Sequence, residues 1–296
     1  MRTFSSTTKA TALGVLAPVL WGTTIPLVRG IVEDFGLTLG EFALYSLATV
    51  FLILTVGLPD FKKLSARYLI TGLGSAVACS LCLAFSIYLS TGGKQTVEVG
   101  MINYLWPAMT IVFAVLFTGV KSDWRIIPGI ILSLAGLFWI LSGGEFSVDD
   151  FLARWMSNPW SYVLAFFGAL SWAIYSTVTK LWSNDQNIST LIFACLAVSY
   201  GTLWLCGVAP SEQITVRGIG SVIFGGFALS AAYVFWTHGV LHGKIAVLSI
   251  ASYFTPVLSC IFSVLWIDAK LTPSFWTGVA VLTVGSLLCW QATRRS

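Results

Sequence analysis

Charge is scarce in this chain: of its 296 residues only 9% are Asp, Glu, Lys or Arg, against about a quarter in an ordinary soluble domain. A water-soluble fold of this length would have almost nothing polar to cover its surface. A soluble enzyme, a nucleic-acid binder and a disordered scaffold are therefore excluded. Long polar stretches are missing as well. The longest, from about Gly143 to Pro159, is too short for a separate soluble domain. Histidine occurs only twice, and His238 and His242 lack a third partner of metal-ligand spacing, so no metal is expected. No Gly-rich phosphate loop followed by Lys-Ser or Lys-Thr is present, which excludes a self-contained ATP-driven pump. No Ser-His-Asp spacing appears either, so the chain is not expected to be an enzyme or to need a cofactor. The net charge of +4 comes from basic residues scattered over loops, not from the stripe that binds nucleic acid.

What the chain does have is apolar sequence: 57% of residues, with a mean hydropathy of +0.87. About 20 apolar residues cross a bilayer as a helix. Ten such runs are predicted, near residues 10–28, 40–58, 67–89, 97–118, 126–142, 160–181, 188–208, 218–239, 245–266 and 274–292. The short polar N-terminus and the run after it carry no small-residue cleavage signal, so that run is read as a first span and not a removed leader. The six cysteines all fall inside apolar stretches, where a free thiol behaves as a small hydrophobe. With the N-terminus inside, 11 of the 16 basic residues lie on the inner side and 5 on the outer. The positive-inside rule then places both termini in the cytoplasm.

The two halves look alike at a nearly constant offset. Tyr104-Leu105-Trp106-Pro107 aligns with Tyr253-Phe254-Thr255-Pro256 at 149 residues. Gly129 and Gly136 fall on Gly278 and Gly285 at the same offset, and Trp21 falls on Trp172 at 151. The repeats are expected at residues 1–145 and 146–296, each with five spans. Five is odd, so the second copy enters the membrane from the opposite face. An inverted repeat of this kind is the plan of secondary transporters, whose substrate sites lie near the midplane. The expected fold is an all-α polytopic membrane protein of ten transmembrane helices in two inverted five-helix repeats.

The run Val97-Glu98-Val99-Gly100-Met101-Ile102-Asn103-Tyr104-Leu105-Trp106-Pro107, with Ser252-Tyr253-Phe254-Thr255-Pro256 and the closing Gly285-Ser286-Leu287-Leu288-Cys289-Trp290, carries a resemblance. The chain resembles the EamA-type branch of the drug/metabolite transporter superfamily, and within it the bacterial exporters of aromatic amino acids. That resemblance covers the whole chain. It implies an inner-membrane exporter of aromatic and other neutral amino acids, with ten helices around a central cavity and the direction of transport outward. An exporter of drugs or other small metabolites with the same fold is the alternative.

Candidate working residues follow from cost and position. Pro107 and Pro256 each remove a backbone donor from a span, so they are candidates for a helix kink that gates a cavity or one that packing tolerates. Asn103, Tyr104, Ser252 and Tyr253 precede the prolines. Polar groups at this depth face other helices or a wet cavity; they either bind an amino acid's ammonium and carboxylate or bridge helices. Among the aromatic residues, Trp21, Tyr45, Trp106, Trp172, Tyr175, Tyr233 and Trp236 lie deep in their spans and are the candidates for substrate contact; those at span ends read as interfacial belts. For proton coupling the available groups are Glu98, Glu41 and His238. Solvated span-end residues are the competing reading for both acids, and a uniporter would need none of them. A single chain in the bilayer, working as a monomer, is the expected assembly.

Overall fold

A computed structural model describes residues 6–119, 123–141, 148–184, 186–209, 214–243, 248, 251–252 and 254–294, without the side chain of Pro107 among others. Among the described residues every regular element is helical. In chain order they are α1 (Ser6–Gly22), α2 (Thr24–Phe35), α3 (Leu37–Thr55), α4 (Ala66–Leu89), α5 (Gly92–Asn103), α6 (Trp106–Phe117) and α7 (Ile126–Leu141). There follow α8 (Val148–Ser157), α9 (Pro159–Trp182), α10 (Ser189–Leu205), α11 (Val216–His242), α12 (Thr255–Trp266) and α13 (Pro273–Arg294). Among the described residues six spans are long and apolar enough to cross a membrane: α3, α4, α5 with α6, α9, the first 21 residues of α11, and α13. Counted as one broken span, α1 with α2, bent by 42°, makes a seventh. This is a polytopic helical membrane protein. The predicted runs at 126–142, 188–208 and 245–266 coincide with the shorter helices α7, α10 and α12; residues 244–247, 249–250 and 253 lie outside the described set.

The α1–α2 bend has a backbone cause. Pro26 has no N–H to offer the carbonyl of Gly22, so the ladder cannot pass through that turn. Thr23 turns the chain at the bend, its backbone N–H and its hydroxyl both donating to Leu20 O, at 3.1 and 2.7 Å. A first span ending at residue 28 is thus corrected: α1 stops at Gly22, and a second helix runs on to Phe35.

The helices group into two compact units that each draw on both halves of the sequence. One holds residues 1–59 and 187–267. In it α1 packs along α11, α3 packs on α10 and α11, and α12 packs on α1 and α2. Gly14 and Gly239 make the α1–α11 contact: a Cβ on Gly239 would lie 2.7 Å from the Gly14 Cα, so the backbones touch. At one end the Arg217 Nε of α11 meets Asp34 Oδ2 of α2 at 2.8 Å.

The other unit holds residues 60–186 and 268–296. In it α9 packs on α4, α5 and α6, while α7 packs along α13. The α7–α13 contact is made through glycines seven residues apart on each helix. A Cβ on Gly136 would lie 2.5 Å from the Leu282 nitrogen and 2.8 Å from Gly278 O; one on Gly285 would lie 2.7 Å from Gly129 O. Gly129 therefore meets Gly285 and Gly136 meets Gly278, so the helices run antiparallel. Trp139 Nε1 donates to Ser274 O at 2.8 Å and closes one end.

Close backbone packing of this kind holds membrane helices together where no hydrophobic force between them remains. Gly136→Ala forces α7 and α13 apart, and overpacking of this order costs about 1–3 kcal/mol. The unfolding temperature of the purified variant in detergent should fall by several degrees. Gly220→Ala, whose Cβ would meet nothing within 4 Å, should leave it unchanged.

Candidate functional site

Both long breaks in the chain come from proline chemistry. Pro107 deprives the carbonyl of Asn103 of its i+4 donor, and Pro256 does the same to Ser252. The chain responds identically at both. After the first break Leu105 N donates to Ile102 O at 3.0 Å and Met109 N to Leu105 O at 3.0 Å. After the second, Phe254 N donates to Ala251 O at 3.1 Å and Leu258 N to Phe254 O at 3.0 Å. Each of these groups lies 149 residues from its counterpart. The prolines stand at the second residue of α6 and of α12, both of 12 residues. The backbone is thus interrupted, and each proline sits in the first turn of a new helix, where its missing N–H would have no partner anyway.

In the first unit, rings from four helices form a continuous series. Trp21, at the end of α1, meets Trp236 at 5.2 Å and the edge of Tyr233 at 5.8 Å, both on α11. Tyr233 meets Phe193 of α10 at 5.0 Å, and Phe193 meets Tyr45 of α3 at 5.4 Å. Tyr45 then stacks on Tyr200 at 5.8 Å with only 4° between the planes. Tyr45, Phe193 and Tyr200 are buried; Trp21, Tyr233 and Trp236 are half-buried and form the accessible end. The spacing of Tyr233 and Trp236, three residues apart on α11, sets both on one helical face. Each ring pair contributes about 0.5–1.5 kcal/mol beyond area burial, which keeps the series ordered. One turn before Tyr45 stands Glu41, 1% exposed, whose Oε1 has no hydrogen-bond partner among the described residues.

The second unit carries a smaller set. Trp106, at the start of α6, meets Trp172 of α9 at 5.8 Å, and Trp172 meets Tyr175 at 5.3 Å. Asn103 is buried, and its Oδ1 has no hydrogen-bond partner among the described residues. That oxygen lies so close to Gly168, one turn before Trp172, that a Cβ there would come within 3.2 Å of it. Tyr104 is buried beside it. Nearer the end of the helix Glu98, 2% exposed, accepts a hydrogen bond of 2.7 Å from the hydroxyl of Tyr162. Around this pair Asn158 Nδ2 donates to Leu89 O at 2.6 Å and to Ser161 Oγ at 2.9 Å, while Thr91 N donates to Gln95 Oε1 at 2.6 Å.

Of the aromatic residues singled out from the sequence, Trp21, Tyr45, Tyr233 and Trp236 come together in one set, and Trp106, Trp172 and Tyr175 in another. Ser252 is half-buried at the second break, and Tyr253 lies outside the described residues. His238 is exposed on α11, with its ring 4.9 Å from that of His242. Phe193, Tyr200 and Tyr162 were not anticipated. Phe193 and Tyr200 sit in a uniformly apolar run and carry no signal of their own, but a tyrosine in the first turn of a span opposite Glu98 was a legible one.

The arrangement defines a class: a polytopic helical membrane protein whose spans break at matched prolines and gather aromatic rings beside unpaired polar atoms. The chain belongs to the EamA-like transporter family, whose model matches it twice, at residues 8–142 and 159–291. The aromatic amino acid exporter YddG of Salmonella typhimurium is 40% identical over 97% of this chain and 98% of its own length. The protein of that name from Escherichia coli is 40% identical over 97% and 98%. One solved crystal structure, 19% identical, shares the fold with a TM-score of 0.65 over 97% of this chain and 99% of its own.

The Tyr162–Glu98 bond makes a measurable coupling. Removing the donor with Tyr162→Phe takes one hydrogen bond from a buried carboxyl group, at a cost of about 1–3 kcal/mol. In a double-mutant cycle with Glu98→Gln, the unfolding free energies in detergent should be non-additive. Additive losses would mean that the two side chains act independently.

Proposed function

We propose that this protein exports aromatic and other neutral amino acids across the inner membrane, by alternating access through a central cavity. The single observation that carries this reading is the gathering of rings around unpaired polar atoms. An aromatic amino acid presents a flat apolar side chain together with an ammonium and a carboxylate. Half-buried Trp and Tyr rings offer apolar faces with polar edges, and their faces also attract the ammonium. The unpaired oxygen of Asn103 is suited to accept from that ammonium. The names borne by the relatives point the same way.

The proposed architecture is ten transmembrane helices, with residues 1–145 and 146–296 as two inverted five-helix repeats. Its support is the repetition of the proline breaks at one offset and the antiparallel run of α7 against α13, counterparts in the two halves. Packing partners agree as well: α1 against α11 in one unit corresponds to α9 against α4 in the other. Both termini are proposed to face the cytoplasm, on the distribution of Lys and Arg. The side chains proposed to meet substrate are Trp21, Tyr45, Tyr233 and Trp236, then Trp106, Trp172 and Tyr175, with Asn103, Tyr104, Ser252 and Tyr253. Pro107 and Pro256 are proposed as the points about which the spans bend during the cycle. If protons are coupled to transport, Glu98 and Glu41 are the buried groups available, with His238 as a third, exposed one; the protein is taken to act as a monomer.

Liposomes holding the purified protein test the function directly. Saturable uptake of labelled phenylalanine or tryptophan above that of empty liposomes is expected. No flux from folded protein would move the search to drugs and other metabolites. Trp106→Ala removes the partner of Trp172 and should lower uptake of tryptophan relative to leucine several-fold, with expression unchanged; an unaltered ranking would remove Trp106 from the site. If Glu98 carries the proton, Glu98→Gln should abolish the response of flux to an imposed pH gradient. Should the parent protein show no such response, a uniporter is the better account.

A further inference from the structure

Between α7 and α9 lies a helix for which transport gives no role. At 10 residues α8 is far too short to cross a bilayer. Its register sets Val148, Leu152, Trp155 and Met156 along one face, with Asp149 at its margin and Ala153 and Ser157 on the other side. In a water-soluble bundle the apolar face would turn inward. Here Val148, Leu152 and Met156 are 63%, 48% and 70% exposed. Trp155 alone is engaged, stacked on Tyr162 at 5.6 Å with 16° between the planes. The face is thus pinned at one point to the first turn of α9 and bare along the rest.

What lies beside that bare face identifies its occupant. Only Asn158 separates α8 from Pro159, the first residue of the membrane-crossing α9. The next residue, Trp160, is largely exposed, and Phe167 further along α9 is exposed too. The apolar face of α8 therefore continues the lipid-facing surface of the span it adjoins, at the depth where that span ends.

We propose that α8 is an in-plane interfacial helix, with Val148, Leu152 and Met156 seated among the outermost acyl-chain carbons and Ala153 and Ser157 turned to water. The bound partner is the lipid bilayer itself; that the leaflet is the outer one rests on the orientation proposed above, but the seating does not. With Asp149 and Asp150 against Arg154 the helix carries a net negative charge, so attraction to anionic headgroups does not hold it and burial of apolar surface does. Its seating is therefore insensitive to salt, unlike that of a basic interfacial helix. Through Trp155 the seated helix also steadies Tyr162, whose hydroxyl reaches Glu98.

Spin labels read this seating. Met156→Cys, Leu152→Cys and Ser157→Cys are each labelled with a nitroxide in protein carrying Cys206→Ser, because Cys206 is the exposed native thiol. The proteins are placed in phosphatidylcholine liposomes and saturated in the presence of oxygen or of a water-soluble nickel chelate. The account expects labels at 152 and 156 to relax with oxygen and not with nickel, the label at 157 to do the reverse, and 1 M salt to change neither. Nickel reaching position 156 as readily as 157 would put the helix in water and overturn the proposal. Shielding of 152 and 156 from both reagents would overturn it too, because a second copy or another protein would then cover the face. If Met156→Cys does not fold, Leu152→Cys carries the same reading.

Discussion

The hydrogen-bond requirement of the backbone governs this structure. In hydrocarbon no water is available to an unpaired N–H or C=O, so a spanning segment must satisfy its own polar groups. The chain obeys by being helical in its described spans. At Pro26, Pro107 and Pro256 a carbonyl loses the N–H four residues on, and the chain begins a new helix beside each. Irregular backbone at membrane depth is tolerated only where protein or a wet cavity receives it. The breaks therefore mark where the bundle departs from simple lipid-facing packing, and the half-buried rings of Trp21 and Trp106 stand beside two of them.

Packing follows from the same constraint. Apolar burial cannot draw helices together within lipid, so close approach of backbones must do it. Gly14 against Gly239 serves α1 and α11, while the paired glycines of α7 and α13 let two antiparallel helices touch along two turns. A rigid framework of this kind leaves polar side chains few places to go. Glu98 finds Tyr162, whereas Glu41 and Asn103 each keep a buried oxygen without a partner among the described residues. Beside the aromatic rings, these oxygens are where a polar ligand or a proton would gain most.

Much of this was legible in the residues. The offset of 149 joining Tyr104–Pro107 to Tyr253–Pro256 foretold two matched breaks, and the hydrogen bonds at both breaks agree group for group. The ring series drew four of its six members from aromatic residues picked by depth alone. Phe193 and Tyr200 escaped because a residue inside an unbroken apolar run gives no hint of which neighbour it meets; that is decided by how α10 turns against α3. The first span was read as one helix to residue 28 because hydropathy does not register the lost donor of Pro26. The division into compact units was equally hidden, since each unit interleaves helices from both halves of the chain, and sequence similarity reports descent, not packing partners.

The central claim is that the rings and their unpaired polar neighbours recognise an aromatic amino acid as a whole. Equilibrium binding of labelled tryptophan to the purified protein, with competition, tests it most directly. The account predicts saturable binding displaced by phenylalanine and tyrosine, and far less by indole, which has the ring but neither the ammonium nor the carboxylate. Equal displacement by indole, or no saturable binding by folded protein, would contradict it.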